Sequence, residues 1–534
     1  MAHISLDSLI HLGPESDFET LDLTPPLEQG DRLILRAEAL RECSRIAFSK
    51  IAYIMPQTQY AAFAEIVGDP ASDLGERFVA ASLLENALIA AKGALPICQD
   101  TGTALVYGWR GDHIHIEGEA DLEELLAGGA SEAYAREKLR NSQMGPLNMT
   151  EERNTRDNLP AGIQIRSLRG DELRLVFVAK GGGSTSRTSL TMESPAILRK
   201  ERLDEVLRAR IGALGPSGCP PYAIAVVLGG TTPSQTLYAA ELAALGLLDA
   251  LPESASGDGR PVRDRAWEVR ILEMARESGP GAQWGGSYMA ISARAIRLSR
   301  HAANLPLAVA VSCAANRHVA VCVDRRGWRI QRLPPPDQKL EEAVGEVIRQ
   351  ASSSAPSVET SQASRAWLEQ LRTCAAGSMV LLSGPVLLAR DAAHARLLKT
   401  LEAEKKLPDW FIGLPVFYAG PTEAKEGHAT GSFGPTTASR MDSYLEPFMG
   451  AGASLVTIAK GSRGEEARKA IARHHGVYLA AIGGAAALNA QEHIRSLSTI
   501  QFEDLGMEAV RIAVLERMPL IVAIDSKGRD IYRA

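Results

Sequence analysis

The sequence predicts a two-lobed α/β protein, with a larger N-terminal mixed α/β lobe and a smaller C-terminal α/β lobe. Three observations carry this expectation. At 534 residues the chain is too long for a single hydrophobic core. Apolar runs of strand type alternate with runs of helical period over most of its length. A Pro334-Pro335-Pro336 cluster and the Ser-rich stretch 351–364 then interrupt the rhythm. These signals divide the chain into a lobe over residues 1–335, a connector over 336–377 and a second lobe over 378–534.

Composition narrows the function classes. Apolar residues make up 45% of the chain and the formal net charge is −6, which argues against non-specific binding to nucleic acid or to an acidic membrane surface. No uncharged apolar run is long enough to span a bilayer. The first residues, Met1-Ala-His-Ile-Ser, lack the basic start and apolar core of a signal peptide. Six cysteines in a chain this long are not a disulfide scaffold, so a cytoplasmic location with reduced thiols is expected.

The elements follow in order. From Asp31 to Tyr53 apolar residues recur at Leu33, Ala37, Leu40, Cys43, Ala47 and Ile51, which is helical spacing and places Cys43 in the core. Phe78 to Ala91 reads as a buried helix, and Ala104 to Trp109 as a strand. Leu122 to Leu139 reads as a helix, with Pro146 as a stop signal. Leu173 to Val178 is a strand ending in Lys180-Gly181-Gly182-Gly183-Ser184, where glycines let backbone N–H groups approach an anion. Strands are expected at Ala223–Leu228, Leu307–Val311 and His318–Asp324, the last burying Cys322. A helix from about Lys339 to Gln350 falls in the connector. Beyond it, strand runs at Val380–Leu382, Leu455–Ile458, Val477–Ala480 and Leu520–Ala523 alternate with helical segments.

The chemistry concentrates in loops. Leu95-Pro-Ile-Cys98-Gln99-Asp100-Thr101-Gly-Thr-Ala104 sets a thiol, an amide, a carboxylate and a hydroxyl side by side between a helix and a strand. Cys219, in Gly215-Pro-Ser-Gly-Cys219-Pro-Pro-Tyr222, and Cys313, in Ser312-Cys313-Ala-Ala-Asn316-Arg317, occupy comparable loops beside strands. No CxxC pair exists, so spacing alone fixes no metal. Soft thiolates suit zinc or an iron–sulfur cluster, and three of them would leave a four-iron cluster one open position. In the C-terminal part, Gly431-Ser-Phe-Gly-Pro435-Thr436-Thr437-Ala-Ser439-Arg440-Met-Asp442 supplies hydroxyls and a cation, although Thr-Thr before a helix also suits an N-cap. Arg390 and Lys460 follow strand runs, where an α/β sheet binds anions. A structural zinc site in a binding protein and a phosphate-binding GGG loop are the other readings; the Walker and GxGxxG patterns are missing.

Taken together, PICQDTGTA, AKGGGS, CPPY, RH before VSC, ARDxAHAR, YAGP, GSFGPTTxxRMDSY and AKG resemble the class I, iron–sulfur-dependent fumarate hydratases, in matching order from about residue 80 onward. The resemblance implies a [4Fe-4S] cluster on Cys98, Cys219 and Cys313. It implies catalytic roles for Thr436, Asp100 and His301, and dicarboxylate contacts from Gln99, Arg140, Gly183, Arg390, Arg440 and Lys460. It also implies a homodimer, with reversible hydration of fumarate to (S)-malate as the reaction and mesaconate or tartrate as alternative substrates. The chain departs from the family's usual pattern at Ser186-Arg187, Ile291-Ser292, Ala314-Ala-Asn316-Arg317 and Ser439.

Overall fold

A computed structural model of the chain describes residues 6–118 and 121–533. The larger lobe holds two large sheets and two small ones of three and two strands. The first has six strands in the order Phe18–Thr20, Gly327–Gln331, His318–Asp324, Leu173–Lys180, Thr103–Gly111 and Gly162–Leu168. Only the last pair runs parallel. The second sheet has five strands, Ser189–Glu193, Leu305–Ser312, Tyr222–Gly230, Ala290–Arg300 and Val262–Arg263. Its central strand, Tyr222–Gly230, is buried along its whole length, as a continuous apolar run requires.

Side-chain alternation decides what each sheet face meets. Ala104, Val106, Leu175 and Phe177 point to a core made with the helices Ala37–Tyr53 and Leu122–Arg136. Their neighbours Tyr107, Trp109, Val176 and Val178 point the other way, to a core shared with the second sheet and the helix Pro233–Ala244. Cys43 lies in the first core and Cys322 in the second, so both are structural, as their patterns implied. The helix expected from Asp31 begins only at Ala37. Leu33 and Leu35 instead belong to a strand, Arg32–Leu35, whose inward positions alternate with period two.

The smaller lobe is built on seven strands in the order Ser357–Glu359, Met379–Leu388, Val416–Phe417, Val456–Ala459, Val477–Ala480, Val510–Ile524 and Ile494–Gln501. Val510–Ile524 also pairs with Met379–Leu388, so five strands close into a ring. The stretch 336–377, read from composition as a connector, is built into both lobes. The helix Leu340–Ser352 packs on the helix Leu74–Ala90, and Ser357–Glu359 forms an edge strand of the ring sheet. Its Pro and Ser clusters mark the turns between these elements. Among the described residues no helix is long and apolar enough to cross a membrane.

Leu74–Ala90 is apolar nearly all round, and it is buried accordingly. It contributes Val79, Leu83, Leu84 and Ala87 to one continuous core that also holds the ring strands. Near its C-terminal end, the Asn86 amide donates to Ile97 O and accepts from the Ala487 and Leu488 N–H groups. One buried side chain thus ties the Cys98 loop to the smaller lobe.

Glu85, beside it, feels Glu341 and Glu492 from two other elements. Burial first, and these carboxylates second, push its carboxyl up to about 7. The folded chain therefore binds a proton more readily than the unfolded one, and stability falls as pH rises through the interval between the ordinary glutamate value and about 7. The urea midpoint of the native chain is expected to drop between pH 5 and pH 8 by more than that of Glu85→Gln. Parallel curves for the two proteins would contradict this.

Candidate active site

The two lobes enclose a cleft of about 1540 Å³. Gln99, Asp100, Arg140 and Gly183 line it from the larger lobe, and Arg390, Thr436, Arg440 and Lys460 from the smaller one. Every expected substrate contact is therefore in one place. His301 is not. It lies on the exposed turn between Ala290–Arg300 and Leu305–Ser312, where its Nδ1 accepts from Ala303 N. Tyr222 pairs with Ala290 near the Cys219 end of the sheet, whereas Gly230 pairs with Arg300 at the other. An eleven-residue strand separates the two ends by roughly 30 Å at the usual rise per residue. Within its own chain, His301 does not join the cleft.

The Cys98 loop is fixed by local chemistry. Ile97 N donates to Ala52 O, and the Ser432 hydroxyl donates to Pro96 O from the other lobe. Gln99 is buried and donates to Pro435 O at 3.0 Å. The Thr101 hydroxyl accepts from Arg140 N and donates to Arg140 O, which holds that arginine beside Asp100. Asp100 accepts from Gly182 N at 2.9 Å and faces Arg140 at 3.9 Å. The anion met by the glycine loop is thus a carboxylate of the chain itself. Burial alone would raise the Asp100 pKa, but Arg140, Arg317, Lys460 and the Gly182 N–H outweigh it and hold the group below the ordinary carboxylate range.

None of the three thiols lines the cleft, but they lie near one another behind it, Cys219 feeling both Cys98 and Cys313. Cys98 and Cys219 are buried and Cys313 is partly so; none is in a disulfide. Cys219 sits at a positive φ of 63°, and Ala314 N donates to its carbonyl, which interlocks two of the three loops. Lys460 Nζ stands 2.6 Å from Cys219 Sγ. Burial would lower the Lys460 pKa, yet Cys219, Cys98 and Asp100 outweigh burial and raise it. Burial pushes Cys219 up to about 11 against the pull of Lys460. A Cβ on Gly483 would lie 2.3 Å from Cys219 Sγ, so the wall facing the thiol has to be glycine. Among the described residues no three His, Cys, Asp or Glu side chains converge as ligands of a single metal ion would. Three free thiols are the donor chemistry that an iron–sulfur group takes.

In the smaller lobe, Thr436 does not cap a helix. Its hydroxyl donates to Tyr418 O at 3.0 Å, while Thr436 O accepts from Lys460 N, so the Thr436 loop and the Lys460 strand end are joined. Arg390 is 4% exposed, with Glu508 at 3.5 Å, and its Nε has no partner. Burial, with Arg140 adding to it, lowers its pKa to about 10. Arg440 is half-exposed and paired with Asp391 at 2.7 Å.

Both domains match family models, one described as fumarate hydratase (fumerase) over residues 41–322 and one as fumarase C-terminus over residues 330–534. The chain belongs to the class I fumarate hydratase family. It is accordingly a hydro-lyase. It is 38% identical to fumarate hydratase 2 of Leishmania major, covering 94% of this chain and 87% of that protein. It is also 38% identical to the aerobic class I fumarate hydratase of Escherichia coli K12, covering 93% and 90%. A shorter likeness, 37% over 160 residues, links 29% of this chain to 82% of a putative L(+)-tartrate dehydratase beta subunit of Methanocaldococcus jannaschii.

Three residues of the hydratase's cleft surroundings escaped the sequence reading as site residues: Arg317, Asp391 and Glu508. Arg317 carried a signal, four residues after Cys313, and Asp391 follows Arg390. Glu508 lies in a polar stretch with no pattern to mark it. The approach of Gly420 to Arg390 is testable, because an added Cβ would stand 2.7 Å from the guanidinium carbon with no adverse backbone angle. Gly420→Ala is expected to raise KM for fumarate by roughly tenfold while changing kcat little, the signature of lost carboxylate binding. An unchanged KM would show that Arg390 does not bind substrate in the position seen here.

Proposed function

We propose that the hydratase interconverts fumarate and (S)-malate with a [4Fe-4S] cluster on Cys98, Cys219 and Cys313. The observation that carries this reading is the cleft itself, where Arg140, Arg390, Arg440 and Lys460 from two lobes line one space and Lys460 reaches from it to the Cys219 thiol. When bound, the cluster supplies a Lewis acid that polarises the C–O bond of the hydroxyl being added or lost. The chain supplies the rest. Arg140, Arg390 and Arg440 grip the two carboxylates, since a guanidinium offers a fork matched to each. Gln99, held by Pro435 O, and Gly183 shape the floor. The Thr436 hydroxyl moves the proton at the adjacent carbon, and Asp100, kept ionised by Arg140 and Gly182, handles the proton at the oxygen.

Thr436→Val keeps the shape and removes the hydroxyl. It is expected to lower kcat by roughly 10²-fold, the scale of an acid–base group, without altering the visible spectrum. Cys219→Ser is expected to abolish the absorbance near ~400 nm of anaerobically purified protein, whereas Cys322→Ser retains it. The opposite result for the two cysteines would overturn the ligand set. The likeness of part of the chain to a tartrate dehydratase subunit favours one second reading, a related diacid as substrate. Consumption of tartrate or mesaconate but not fumarate would select it.

We also propose a homodimer working in a reducing compartment such as the cytoplasm, in line with the six free cysteines. His301 lies too far from the cleft of its own chain to act there, so any catalytic role requires a second copy to present it. His301→Asn and Thr436→Val chains, each impaired alone, should regain part of the activity when co-expressed, because a mixed dimer keeps one complete site. Failure to regain it would remove His301 from the mechanism.

A further inference from the structure

Arg317 is 2% exposed and is among the bulkiest fully buried side chains of the molecule. A guanidinium cannot escape burial by losing its proton. The other buried arginines face carboxylates: Arg263 faces Glu268, Arg390 faces Glu508 and Arg463 faces Asp442. Arg317 forms no ion pair among the described residues. Its Nη2 donates to Asp100 O at 2.7 Å and its Nε to Ala315 O at 3.2 Å, both neutral carbonyls. Its Nη1 is buried with no partner at all. The nearby Asp100 carboxylate is directed to Arg140 and Gly182 instead. This leaves a permanent buried cation with no direct ion pair in the wall between the Cys98 and Cys313 loops, with the Asp100 carboxylate acting on it only at longer range, an arrangement that is costly unless a further anion joins it.

We infer that Arg317 is the charge partner of the group held by Cys98, Cys219 and Cys313: a positioning residue whose cation balances the thiolate-bound cluster while its two carbonyl bonds lock the loops that carry the ligands. The inference rests on the cluster reading above. A cluster held by three thiolates is an anion overall, and it supplies the charge the guanidinium lacks. Arg317 touches no reacting atom. Its effect is on how firmly the group is held.

The test follows iron leaving anaerobically purified, full-length protein into a chelator, read as loss of absorbance near ~400 nm. Arg317→Met, which keeps bulk without charge, is expected to release iron roughly 10- to 100-fold faster than the native chain, the scale of a lost outer partner of a metal site. Arg317→Lys, which restores the charge without the fork, is expected to stay within a few-fold of native. If the methionine variant does not fold, Arg317→Gln takes its place. Native release from the uncharged variant, or equal loss from the lysine and uncharged variants, overturns the inference, because a purely structural tie would not distinguish charge from shape. A native protein that binds no iron overturns the cluster reading and the inference with it.

Discussion

The docking of the two lobes through buried side-chain amides is the constraint on which the rest depends. Asn86 and Gln99 reach from the larger lobe to backbone groups of the smaller one, at Ala487, Leu488 and Pro435. Gln283 does so twice: it accepts from Gly483 N at 2.7 Å and donates to both Gly483 O and Pro220 O. Each link satisfies peptide groups that would otherwise be buried without partners, at a cost on the order of 1–3 kcal/mol apiece. The three amides sit beside the Cys98 and Cys219 loops, so the contacts that join the lobes also set the floor of the cleft. Neither lobe contains the site alone, since Cys219 meets Lys460 and Gly483 only across the seam.

Cations and carboxylates are interspersed in the cleft, with Arg140, Arg390, Arg440 and Lys460 set among Asp100, Asp391 and Glu508. Burial first, with repulsion from Arg140 and Arg440 adding to it, lowers the Arg390 pKa. Asp100, Asp391 and Glu508 offset part of the repulsion.

Much of this was legible in the sequence, and for physical reasons. The apolar runs Ala223–Leu228 and Leu307–Val311 read as strands and Phe78–Ala91 as a buried helix, and each lies within such an element or within a residue of its end. The loop residues of the cleft were legible because Gly and Pro fix backbone around side chains of unusual mixture. Less visible were features that depend on distance in space. The Pro and Ser clusters of 336–377 look like a linker but bound short elements that pack on both lobes. The change from strand to helix at Arg36 is hidden because Leu33 fits either period. Arg317 and Glu508 acquire meaning only from what the fold puts beside them, and the remoteness of His301 follows from the direction of one strand.

The ring of the smaller lobe is closed by Val510–Ile524, the last strand described, which pairs with Met379–Leu388 more than a hundred residues earlier. During synthesis, therefore, this lobe cannot close its ring until Val510–Ile524 has been made. Until then one edge of Met379–Leu388 is open to stray pairing, and the apolar helix Leu74–Ala90 lacks part of its cover. A nascent chain stalled short of residue 510 leaves an apolar flank of the larger lobe bare, a surface of the kind that aggregates.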